Sequence, residues 1–137
     1  MCGIAGLMTF NGKPPAKSVL DAFASALAHR GPDGEGRHVV GNVGMVQRRL
    51  AIIDLETGDQ PLYDSTGTAL IANGEIYNFL ELREEFGPKV FKTRSDCEPP
   101  ISLYHRDGID FARNLRGMYS IALHDPAQEK LVLARDP

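Results

Sequence analysis

The sequence predicts an α+β fold with largely antiparallel sheets. Three observations carry that expectation. Short apolar stretches with strand character recur along the chain, helical spacing of apolar residues occurs in only a few places, and the two do not alternate in the βαβ manner that builds a parallel sheet. The 137 residues, 42% of them hydrophobic and 24% charged, suit one globular domain with a real core and not two.

Ile4 to Phe10 read as a short strand, followed by an Asn11-Gly12 turn and a Pro14-Pro15 break. Ser18 with Asp21 three residues on forms a capping box, and Leu20, Phe23 and Leu27 give the helix an apolar stripe that stops at Gly31-Pro32. Val39-Val40 and Val43 to Val46 flank Gly41-Asn42 as a two-residue hairpin. Leu50 to Leu55 and Ala69 to Ala72 read as further strands. Asn78 with Glu81 offers a second capping box, and Phe79, Leu82 and Phe86 form the stripe of a helix ending at Gly87-Pro88. A strand at Val90 to Lys92 and a helix through Ile101 to Arg106 come next. Met118 to His124 and Leu131 to Arg135 make a closing hairpin. The sequence stops at Asp136-Pro137 directly after a good strand, with no cap or polar tail, so it reads as cut within a domain.

Several function classes are disfavoured at this level. A net charge of -3 with no Lys/Arg cluster gives no basic face for nucleic acid. Apolar runs of a few residues are too short for a membrane span, and the first residues lack a basic region and an apolar stretch of secretory type. Without an export signal Cys2 and Cys97 read as free thiols, and the cytoplasm is the expected compartment. His29, His38, His105 and His124 have no metal-ligand spacing, so no metal is expected, and His29 reads as a helix cap. Gly31, Gly34 and Gly36 lack the Lys-Ser/Thr of a phosphate loop and read as a mobile loop over a pocket. Cys97, beside Asp96, reads as a structural thiol whose pKa that carboxylate raises.

Chemistry is carried by four short segments. Removal of Met1 would leave Cys2 with a free α-amine of ordinary pKa about 7.7–8.0, which can take the proton of its own thiol, so one residue supplies nucleophile and base. Gly3 leaves room for a substrate. Asn73-Gly74 follows an apolar strand, where a side-chain NH2 and a backbone N–H can hold an oxyanion. Arg49, at the start of an apolar stretch, suits bidentate binding of a carboxylate. Ser95-Asp96-Cys97-Glu98 can hold an ammonium, although Ser95 with Glu98 is also a capping box. Nucleophile, oxyanion hole, carboxylate reader and ammonium reader together match free glutamine.

Cys2-Gly-Ile-Ala-Gly, His29-Arg-Gly-Pro-Asp33, Arg49-Leu-Ala-Ile-Ile-Asp54, Gln60-Pro61, Asn73-Gly-Glu-Ile-Tyr-Asn78, Ser95-Asp-Cys-Glu98 and Leu133-Ala-Arg-Asp136 occur in the order found in glutamine-hydrolysing asparagine synthetases. Amidophosphoribosyltransferase and glucosamine-phosphate synthase share the Cys-Gly-Ile start. The chain therefore resembles the N-terminal glutaminase domain of that family, a class II, N-terminal-nucleophile (Ntn) glutamine amidotransferase, over residues 1–137. The resemblance implies a four-layer αββα sandwich, truncated at its C-terminal side. It implies Cys2 as nucleophile, Asn73 and Gly74 as oxyanion hole, and Arg49 on the glutamine α-carboxylate. The backbone of Leu50, Ala51, Ile52 and Ile53 would line the pocket, with Glu75 and Asp96 on the α-ammonium. L-glutamine is the implied substrate, and ammonia would pass to a C-terminal synthetase domain that adenylates aspartate. ATP and Mg belong to that absent domain, with no cofactor in this chain; a homodimer is left open.

Three features depart from the family pattern. Gln47 stands where the family usually has His, and Arg48 is also atypical. Pro99-Pro100 interrupts an expected apolar helix and moves its start to Glu98, with Pro99 at the first position, which bears on the aim of Asp96. A Met1 that stayed in place would acylate the amine. Two other readings remain beside glutamine hydrolysis: an Ntn amidase for another amide, and a catalytically inert amidotransferase-like domain.

Overall fold

A computed structural model describes residues 2–137; Met1, and with it the expected trimming, lies outside the described residues. The elements are strand β1 (Gly3–Met8), helix α1 (Lys17–Leu27), strands β2 (Gly34–Val40), β3 (Val43–Arg49), β4 (Leu62–Tyr63) and β5 (Ala69–Ile76), helices α2 (Phe79–Phe86) and α3 (Pro99–Asp107), and strands β6 (Gly117–Asp125) and β7 (Lys130–Arg135). Single 3-10 segments cover Pro88–Val90 and Gly108–Asn114. All strand pairs are antiparallel, in two sheets ordered β1-β3-β2 and β4-β5-β6-β7. The α+β expectation holds. Among the described residues no helix is long and apolar enough to cross a membrane.

Several elements differ from expectation, each for a local reason. Helix α1 starts at Lys17 with Ala16 as N-cap and no side-chain cap; Asp21 is instead held by Lys17 and Arg37. Past its end the Leu27 carbonyl accepts the Arg30 N–H, and His29 is exposed. Asn78 lies before α2 without capping it, because its amide is spent on Asn114 O and Arg116 N–H across the sheet end. Leu50 to Leu55 is a loop: the Arg49 guanidinium bonds the Ile53 and Asp54 carbonyls, and Asp54 sits at φ 52, which no strand permits. Val90 closes a 3-10 turn where a strand was expected. Pro99 does occupy the first turn of α3, with Glu98 as N-cap. Glu98 does not box with Ser95; its carboxylate takes the N–H groups of Lys92 and Thr93.

Strand alternation decides what each sheet face carries. Val43 and Met45 of β3, Ile4 of β1, Ala69 and Ile71 of β5, Ala122 of β6 and Leu131 of β7 form one cluster between the sheets. On the outer side of the first sheet, Leu20 and Ala24 of α1 pack on Val46. On the outer side of the second, Leu82, Ile101, Leu103 and Tyr104 pack with Leu70, Ala72, Ile121 and Leu123.

The same alternation brings His38 of β2 and His124 of β6 together inside, their rings meeting edge-on at 67°. His38 Nε2 lies 2.8 Å from His124 Nδ1, and its Nδ1 lies 3.1 Å from the Tyr63 hydroxyl. Burial, with the His124 ring as second cause, pushes the His38 pKa down to about 4, and burial also lowers that of His124 despite neighbouring Asp125. Protons therefore bind the unfolded chain first. The stabilisation is complete above the unfolded value near 6.5 and declines as pH falls to about 4, by about 3 kcal/mol for His38 alone. Urea midpoints taken across that window should fall with acid, and the double substitution His38→Gln, His124→Gln should flatten the slope.

Candidate active site

Cys2 precedes β1 and shares the inward face of Ile4, whereas Gly3 points to α1, where a Cβ would stand 3.0 Å from Leu27 Cδ2. Gly3 thus makes room for a helix and not for a substrate. In β3 the inward residues after Val43 and Met45 are Gln47 and Arg49; in β5, Asn73 and Glu75 follow Ala69 and Ile71. The register Gly3↔Arg48 sets Cys2 beside the end of β3. Cys2 Sγ accepts the Leu50 N–H at 3.3 Å and lies 3.6 Å from Leu50 O, while Arg30 Nε donates to the Cys2 carbonyl at 3.1 Å. A sulfur is held by its neighbours' backbone at the open end of the inter-sheet space.

Strand β5 supplies the opposite wall. Gly74 pairs with Tyr119, whose N–H and C=O are both engaged on the far side, by Asp136. In an antiparallel ladder the amides of Ala72, Gly74 and Ile76 therefore all point away from β6. Ala72 N–H is taken by Gln60 Oε1 at 2.6 Å and Ile76 N–H by Asp96 Oδ2 at 2.7 Å. Gly74 N–H, between them, meets no acceptor among the described residues. Any Cβ at 74 would overlap the Met118 carbonyl, so only glycine fits. Asn73 is half-buried, and its amide makes no hydrogen bond to another described side chain or backbone group. Both residues line the cavity that holds the Cys2 sulfur.

Charge is arranged around the same space. Asp96 is buried, and burial is the leading cause that raises its pKa, against the Ile76 N–H that favours the ionised form. Cys97 is buried too, its thiol pushed well up by burial first and by the Asp96 charge second. Glu75 is exposed at the rim. Arg49 is buried and donates through Nη1 to Asp59 at 2.8 Å and through Nη2 to Ile53 O at 3.1 Å and to Asp54 O. Arg48 turns outward to Gly31 O and Glu35. Gln47 is buried on the inner face, its Nε2 without a partner among the described residues.

Cys2, Arg49, Leu50, Ile52, Ile53, Asn73, Gly74, Glu75 and Asp96 all line one cavity of about 350 Å³, large enough for an amino acid. Ala51 is not at its wall; its N–H is held by Asp33. Gly31 to Gly36 do not form a lid. Gly31 is pressed on the Arg48 carbonyl, Gly36 on that of Gln60, and β2 begins at Gly34. Among the described residues no group of three or more His, Cys, Asp or Glu gathers as a metal site. Sequence reasoning missed Asp33, Asp59, Gln60 and Asp136 as parts of this architecture. Three of them sit in the quoted motifs, but their partners are backbone groups more than ten residues away.

The chain resembles known proteins along its whole length. The sequence model of the glutamine amidotransferase domain matches residues 1–137. The chain is 40% identical over 140 residues to asparagine synthetase [glutamine-hydrolyzing] 2 of Bacillus subtilis, covering 99% of this chain and 19% of that protein. It is 39% identical over 138 residues to asparagine synthetase [glutamine-hydrolyzing] 1 of Saccharomyces cerevisiae, covering 100% and 24%. For asparagine synthetase B [glutamine-hydrolyzing] of Escherichia coli the identity is 39% over 142 residues, covering 99% and 25%. The chain spans about a fifth to a quarter of the length of these curated relatives.

Gln60 tests the wall independently of any likeness. Gln60→Met removes the acceptor of the buried Ala72 N–H and should cost about 1–3 kcal/mol in urea unfolding, whereas Gln60→Glu, which keeps an acceptor oxygen, should recover part of the loss.

Proposed function

The chain belongs to the glutamine amidotransferase domain family, and we propose that it hydrolyses L-glutamine to glutamate and ammonia through a thioester on Cys2. The observation that carries this reading is the Gly74 N–H, which meets no acceptor among the described residues, set between the Gln60 and Asp96 acceptors at the cavity that holds the Cys2 sulfur. Two sheets enclosed by helices on their outer faces support the four-layer αββα sandwich of Ntn hydrolases.

With Met1 removed, the Cys2 α-amine takes the thiol proton, and the sulfur adds to the side-chain amide carbon of glutamine. The oxyanion so formed accepts hydrogen bonds from Gly74 N–H and the Asn73 side-chain amide. Collapse expels the amide nitrogen, which leaves as ammonia with the proton held by the α-ammonium. Water, deprotonated by the same amine, then adds to the thioester; the second oxyanion collapses, glutamate departs and the sulfur regains its proton. Arg49 holds the substrate α-carboxylate, Asp96 and Glu75 its ammonium, and Leu50, Ile52 and Ile53 close the apolar wall. Ammonia would pass to an ATP- and Mg-dependent synthetase domain elsewhere in the full-length protein, making asparagine from aspartate; the relatives are named as glutamine-hydrolyzing asparagine synthetases.

Met1-free protein incubated with a diazo-ketone glutamine analogue should gain the mass of one adduct, and Cys2→Ala should gain none. Absence of the adduct, or its persistence in the variant, removes the proposal. A second outcome follows from Asp96. Its ammonium partner requires the ionised carboxylate, whose pKa burial raises. On the acid side the KM for glutamine should therefore climb at a higher pH than an ordinary Asp would dictate. Asp96→Asn should raise KM throughout and remove that inflection.

A further inference from the structure

At the pocket wall, the Arg49 guanidinium assigned to the substrate carboxylate already pairs with a carboxylate that reaches it from the solvent side. Arg49 is fixed: its side chain is 8% exposed, and both Nη2 hydrogens are drawn to the Ile53 and Asp54 carbonyls. Nη1 is thereby the terminal nitrogen left for an anion, and Asp59 Oδ1 occupies it at 2.8 Å. Asp59 itself is not fixed. Its side chain is 82% exposed and makes no other ion pair or hydrogen bond among the described residues, so it can swing into water at small cost. The loop between them is held without it: the Asp54 carboxylate takes the N–H groups of Thr57 and Arg94, and Gly58 N–H bonds Asp54 O.

We propose that Asp59 is an internal competitor for the Arg49 guanidinium, that a substrate α-carboxylate reaches Nη1 only by displacing it, and that this exchange sets the affinity of the pocket for its amino acid. The inference rests on the glutaminase reading above and adds to it the residue that tunes substrate affinity. Two carboxylates cannot share one guanidinium nitrogen at close range without repulsion, and the incoming one must replace a tethered partner that never diffuses away. Asp59 thus weakens binding of any ligand with a free α-carboxylate and leaves a ligand with a neutral α-substituent little affected. Gly58 keeps the contact open, because a Cβ there would stand 2.7 Å from Arg49 Nη2.

The experiment uses the full-length, Met1-free protein, with Asp59→Asn and Asp59→Ala. KM is measured for L-glutamine, and the inhibition constant for its α-carboxamide analogue, L-glutamine amide. Both variants should lower KM for glutamine about twofold to fivefold, the range of an exposed ion pair, and the gap to the native protein should narrow as salt is raised. The inhibition constant of the neutral analogue should stay within the error of the native value. An unchanged or higher KM for glutamine overturns the proposal, since Asp59 would then be a prop for Arg49 and not its competitor. An equal gain for both ligands also overturns it, because loop loosening alone would do that. The diazo-ketone adduct on the native protein separates the two levels: its absence sinks the glutaminase reading, whereas an adduct without the KM shift sinks only the role of Asp59.

Discussion

Two antiparallel sheets packed face to face share one interior, and everything at the site depends on how that interior is filled. At one end it is closed by apolar residues, Val43, Met45, Ala69, Ile71 and Ala122. At the other the same inward positions, two and four residues further along the strands, carry Gln47, Arg49, Asn73 and Glu75, with Cys2 entering from β1. A period of two residues thus turns a core into a cavity without any change of backbone course. Gln47 and Arg49 are buried there by the fold itself, and each must find a partner or await one, while Asn73 is half-buried and Glu75 lies at the rim.

That requirement explains the loops. Strand β4 begins only at Leu62, opposite Leu70, so beyond that point the outer edge of β5 would be left with bare amides. The side chains of Gln60 and Asp96 replace a missing strand, one amide each, and stop short of Gly74. Segment 50–61 is shaped by Arg49 in a similar way, the carbonyls of Ile53 and Asp54 gathered onto a single guanidinium. Elements that complete the sheet edge and elements that surround the cavity are therefore the same residues. Substitutions here should rarely separate stability from binding cleanly, which is why conservative partners such as glutamate for glutamine are informative.

Much of this was legible in the residues. The helices at Phe79–Phe86 and Pro99–Asp107, the hairpin around Gly41-Asn42 and the β6–β7 pair follow from apolar spacing and turn chemistry, both local properties. Cys2, Arg49, Asn73, Gly74 and Asp96 could be singled out because their chemistry and order are unusual together. What failed were inferences in which a side chain had several suitors. Ser18, Asn78 and Ser95 are good caps by type, yet Asn78 and Glu98, the box partner of Ser95, serve backbone groups elsewhere, and α1 begins before Ser18. Leu50 to Leu55 has strand composition, but the adjacent arginine captures its carbonyls. Asp59 carried no signal, since its meaning depends on a buried cation that only the folded loop brings near.

The Tyr63–His38–His124 row has one more property. A neutral imidazole bears a single N–H, so each ring in the row must donate at one nitrogen and accept at the other. The row consequently has a polarity: either the phenol gives its hydrogen toward His38 and His38 gives to His124, or both ring links run the other way. Reversing one link obliges the other to reverse, so tautomers on opposite sheets are correlated across the interior. A proton label on either ring would report the state of its counterpart on the other sheet.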